Sequence, residues 1–199
     1  MTLKPTITFL SETNSDKARK ILLFIDHANK TIKDYFGIVT TFDILICHGS
    51  WEMEVQIMSR TKGLLQRSIY SNTNFVGMTD YRLEEIVIRC DIAKFGHYLH
   101  ELIHGIISKS ITHQLREGLA LYFTIKLTEN HTYVRPSCPS WINQMYIRPT
   151  RKLEEIVGEE FLKDLAVGKA SLDYELFPKD VQSLFLPEEI FYAENRCEK

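Results

Sequence analysis

The sequence predicts an α+β protein in which a small mixed β-sheet packs against helices. β-branched and aromatic residues gather in short runs at 6–10, 39–47 and 84–90, as strands require. Apolar residues recur at helical spacing over 18–35, 95–107, 113–127 and 152–167. With 199 residues, 44% apolar and 25% charged, the chain is long enough for one substantial core and has the balance of an ordinary globular protein. A single domain over 1–199 follows, with an α/β part at 1–90, a helix pair at 91–128, and a cleft loop with C-terminal helices at 129–199.

Thr6 to Leu10 reads as a strand, and Ser15 or Asp16 as the cap of the next helix. That helix carries Ala18, Ile21, Leu22, Ile25, Ala28, Ile32 and Tyr35 on one stripe and stops at Gly37; His27 lies off the stripe, at the surface. Val39 to Cys47 is a second strand, and His48-Gly49-Ser50 a turn. Trp51, Val55 and Met58, at i, i+4 and i+7, predict a short helix with the Trp packed as core. Gly63 to Tyr70 and Asn74 to Tyr81 form a hairpin across Ser71-Asn72-Thr73, and Glu84 to Cys90 a further strand placed at the sheet edge. Asp91 caps a helix running to about Ser108, in which Gly96 and Gly105 permit close backbone approach. Thr112 caps the next helix, from about His113 to Leu127, with Leu115, Leu119, Tyr122, Phe123 and Ile125 inward. Glu129 to Arg151 is proline-broken and reads as a long loop, Lys152 to Val167 as one amphipathic helix, and Val181 to Phe185 as another turn or two.

The chemistry lies in His100-Glu101-Leu102-Ile103-His104. Residues four apart on a helix share a face, about 6 Å apart along the axis, so two imidazoles at that spacing converge on one tetrahedral Zn²⁺. Glu101 then points toward the metal-bound water as general base. Leu99, Leu102, Ile103, Ile106 and Ile107 give the surrounding helix a buried character, where unpaired imidazoles are costly and a metal removes the cost. His97 is one helical turn from Glu101; it either contacts that carboxylate or substrate, or is exposed near the helix start. The metzincin continuation is absent, since Ile107 and Ser110 occupy the positions of its Gly and third His.

Thirteen residues after His104 comes Arg116-Glu117-Gly118-Leu119-Ala120-Leu121-Tyr122. This resembles the E-G-L-A-x-Y run on the second active-site helix of gluzincin metallopeptidases, the thermolysin and zinc-aminopeptidase superfamily. The resemblance spans roughly 84–123. It implies a minimal gluzincin-like fold, one Zn²⁺ per chain on His100, His104 and Glu117, Glu101 as catalytic base, and a peptide or protein substrate. His113 is a possible substitute third ligand with no motif around it. The oxyanion donor that such enzymes place downstream is open among His131, Tyr133, Tyr146 and Arg148. Leu121 stands where thermolysin carries an Asp behind its histidines, so the resemblance does not name the groups that orient them here. A catalytically silent zinc-binding protein on the same scaffold is the alternative.

A net charge of −2 speaks against a nucleic-acid partner. No apolar run reaches membrane-spanning length, and Met1 to Lys20 lacks the pattern of a signal segment, which gives the expectation of a cytoplasmic protein. Cys47, Cys90, Cys138 and Cys197 have no metal-binding or disulfide-framework spacing and read as free thiols.

Overall fold

A computed structural model describes residues 5–61, 76–128 and 142–186. It is mixed α and β, and it divides into two compact units, Met1–Gly105 and Ile106–Lys199. Among the described residues no helix is long and apolar enough to cross a membrane.

The first unit holds β1 (Ile7–Phe9), α1 (Ser15–Phe36), β2 (Asp43–Cys47), α2 (Ser50–Thr61), β3 (Gly77–Asp80), β4 (Glu85–Arg89) and α3 (Phe95–His104). The sheet order is β1-β2-β4-β3, with the first three parallel and β3 antiparallel to β4. β4 therefore lies between two strands rather than at the edge, and among the described residues the edge on that side is β3. Strand alternation sends Leu45, Cys47, Met78 and Val87 to one face, where Met53 and Ile57 of α2 cover them. Ile44, Ile46, Ile86 and Ile88, each fully buried, point to the opposite face, and α3 packs against β3 and β4 and against α1.

Several local expectations shift. Asn14, not Ser15 or Asp16, caps α1: its Oδ1 accepts the Lys17 N–H at 2.8 Å. Gly37 ends that helix as predicted, in the left-handed conformation (φ 74°), its N–H bonded to Lys33 O. The second strand starts only at Asp43, because the Thr40 hydroxyl takes the Phe42 N–H and bends the chain ahead of it. α2 presents the opposite face from the one predicted: Trp51 is 73% exposed, Val55 and Met58 are exposed, and Met53 and Ile57 are the core residues. The run from Asn74 to Tyr81 contributes β3, whereas the Gly63 to Tyr70 half of the hairpin and its turn fall outside the described residues.

The second unit is built around α4 (His113–Leu127). Thr112 caps it as expected, accepting the Leu115 N–H at 3.4 Å, and donates its own hydroxyl to Leu184 O. Leu115, Leu119, Tyr122 and Phe123 are buried, and Ile125 is half-buried. A π-helical turn (Asn143–Ile147) runs into α5 (Arg148–Val157), so the end of the predicted loop is helical; Pro149 sits in the first turn of α5, where its missing N–H costs nothing. The single helix predicted over 152–167 is two, α5 and α6 (Glu159–Ala166). Gly158, at φ 83°, separates them, and Ile156 is exposed instead of apolar-faced inward. A short α7 (Lys179–Gln182) and the 3₁₀ turn after it bury Val181 and Leu184.

Candidate metal centre

α3 supplies both histidines and the glutamate between them. The helix opens at Phe95 behind Lys94, not behind Asp91, whose carboxylate is instead paired with Arg89 through contacts of 2.8 Å. That pairing holds the Asp91 carboxyl below its usual range although burial opposes it. His97 lies in the first turn and is half-buried; its Nδ1 accepts the Lys94 N–H at 2.9 Å and so helps to fix the helix start. Burial holds the His97 imidazole below its ordinary pKa. The helix ends at His104 rather than Ser108. Gly105 closes it where a β-carbon would stand 2.9 Å from Thr40 Cβ and 3.2 Å from Ile86 Cδ1, so the predicted close backbone approach is real at this glycine.

The Nε2 atoms of His100 and His104 are 3.2 Å apart, with the rings perpendicular. Two nitrogens bonded to a tetrahedral zinc at about 2.0–2.1 Å would be separated by about 3.3 Å. His104 is buried (4% exposed). Glu117, the third ligand the sequence implies, and His113, the possible substitute, both stand on α4, in the second unit. Two imidazole nitrogens and one carboxylate oxygen are the donor set that zinc takes in open, catalytic sites.

Glu101 is buried (8% exposed) and faces β3. The Thr79 hydroxyl donates to its Oε2 at 3.0 Å. Gly77, two residues earlier on the same strand face, lies so close that an added β-carbon would stand 2.5 Å from Glu101 Oε1. Tyr81, two residues later, puts its hydroxyl 2.9 Å from His104 Nδ1. β3 and the turn that follows it thus meet α3 at three alternate positions, two on the carboxylate and one on a histidine.

These three residues are absent from the sequence reading, although the run Asn74 to Tyr81 carries them. The alternation that places 77 and 79 on one face is legible there; which helix that face meets is not. Of the oxyanion candidates, Tyr146 is buried in the π-helical turn of the second unit and Arg148 is exposed at the start of α5, while His131 and Tyr133 lie outside the described residues. His27 is exposed as expected, its ring 4.8 Å from that of Phe95. His48 does more than turn the chain: its Nε2 meets the Thr13 hydroxyl and its Nδ1 lies 3.4 Å from Lys17 Nζ.

Comparison of the chain with protein-family models, with curated proteins and with solved structures gives no match.

Proposed function

We propose that the protein is a zinc-dependent peptidase of the gluzincin type, with His100, His104 and Glu117 as the metal ligands and peptides or proteins as substrates. The observation that carries the reading is the convergence of the His100 and His104 Nε2 atoms at 3.2 Å, the separation a shared tetrahedral zinc requires. When bound, zinc supplies Lewis acidity, which polarises a carbonyl and acidifies a water.

The work of the chain itself is proton handling. Glu101 takes a proton from the attacking water as the new C–O bond forms, and delivers it to the amine nitrogen as the C–N bond breaks. Thr79 and Gly77 hold that carboxylate in one place, so it is oriented before substrate arrives. Among the described residues β3 is the edge strand on its side of the sheet, and an extended peptide would add to such an edge by main-chain hydrogen bonds. A cytoplasmic setting belongs to the same proposal, supported by the free, buried thiols of Cys47 and Cys90.

The test is turnover of a mixed peptide library by the zinc-loaded full chain and by Glu101→Gln. Glu101→Gln should retain zinc and lose about 10²- to 10⁴-fold in rate, the range a general base supplies. Equal behaviour of the two proteins would favour the silent zinc-binding scaffold instead.

A further inference from the structure

We propose that the Tyr81 hydroxyl positions His104, accepting the proton of its Nδ1 when its Nε2 holds a metal ion. The inference rests on the metal reading above and adds to it the group that orients this ligand.

Tyr81 Oη lies 2.9 Å from His104 Nδ1, and the two rings meet edge to face at 6.3 Å. The Phe42 and Tyr81 rings also meet edge to face, with centroids 6.0 Å apart. The backbone that presents Tyr81 is tied down on its C-terminal side. Buried Asp80 accepts the N–H groups of Arg82 (2.9 Å) and Leu83 (3.3 Å), and the Arg82 guanidinium donates to Arg60 O at 2.6 Å. A side chain on so constrained a turn holds its hydroxyl in place.

The chemistry follows from which nitrogen faces what. His104 turns Nε2 toward His100 and Nδ1 toward Tyr81. A nitrogen that ligates a metal must present its lone pair, so in the loaded protein the ring proton sits on Nδ1 and Tyr81 accepts it. A phenol oxygen accepts that proton, and a phenylalanine at the same place does not. Tyr81 therefore fills the role left open by Leu121.

The experiment uses the full chain, wild type and Tyr81→Phe, which keeps the ring contacts and removes only the hydroxyl. Histidine ¹⁵N spectra are recorded on metal-free and zinc-loaded protein, and zinc affinity is measured by competition with a chromophoric chelator. Zinc-loaded wild type should carry the His104 proton on Nδ1, protected from exchange with water by its bond to Tyr81. Tyr81→Phe should bind zinc at least about tenfold more weakly and lose that protection. The assignment is overturned if Tyr81→Phe binds zinc as tightly as a zinc-binding wild type, or if the His104 Nδ1 proton exchanges equally fast in both proteins. A wild type that takes up no zinc overturns the metal reading itself, and the positioning role with it. The wild-type spectra require no variant to fold.

Discussion

Gly77 brings the backbone of β3 directly against the carboxylate of Glu101: a β-carbon at that position would stand 2.5 Å from Oε1 and 2.7 Å from both Cδ and Cγ. The contact makes position 77 a constraint on where the base points. Gly77→Ala must therefore push the Glu101 side chain aside. The expected cost is about 1–3 kcal/mol of stability from overpacking. Peptide turnover on the proposed reading should fall at least about a hundredfold while zinc content is unchanged. Thermal unfolding, metal analysis and turnover on the same preparation check the three parts.

Thr79 gives Glu101 Oε2 a hydroxyl donor at 3.0 Å. Thr79→Val keeps the shape and removes the donor. Stability near neutral pH should drop by about 1.5–3 kcal/mol, the range for hydrogen bonds to charged groups, and peptide turnover on the proposed reading should fall while zinc content is unchanged. Unchanged turnover would detach Thr79 from the base.

His97 is held below its ordinary pKa by burial, with the Lys94 ammonium adding in the same direction. Its Nδ1 accepts the Lys94 N–H, a bond open only to the unprotonated nitrogen. The folded protein thus binds this proton less readily than the unfolded chain. The stabilising effect is complete above the unfolded histidine value of 6.5 and is lost progressively as pH falls below it, with a slope of at most about 1.4 kcal/mol per pH unit. Urea midpoints for wild type and His97→Gln at pH 7.5 and 5.5 check this, the variant showing the smaller decline.

The exposed and buried faces of α2 make opposite predictions. Met53, 2% exposed, sits on the sheet, and Met53→Ala should cost about 2–5 kcal/mol. Trp51, 73% exposed, is the larger side chain, yet Trp51→Gln should stay within about 0.5 kcal/mol. Denaturant unfolding of both variants decides which face is core.

The difference between these two residues shows where sequence reading succeeds and where it stops. Residue type suggests that Trp51, Val55 and Met58 are the inward stripe, but α2 is apolar on two faces, and only the sheet beneath it chooses Met53 and Ile57. The cap Thr112 and the helix it starts were legible because a cap and its first turn are local. So was the stop at Gly37, where one residue supplies the left-handed conformation. The place of β4 between β2 and β3 was not, since strand neighbours are chosen by pairings distant in sequence. The same distinction runs through the site. The spacing of His100, Glu101 and His104 sits within one helical turn and could be read directly, whereas Gly77, Thr79 and Tyr81 gain their role only from the helix they face.

Zinc titration of the metal-stripped full chain, against a chromophoric chelator, tests the central claim most directly. The wild type should take up one zinc per chain, His100→Ala and His104→Ala should lose high-affinity uptake, and Glu117→Gln should weaken it. A wild type that binds no zinc, or histidine variants that bind it as the wild type does, would contradict the account.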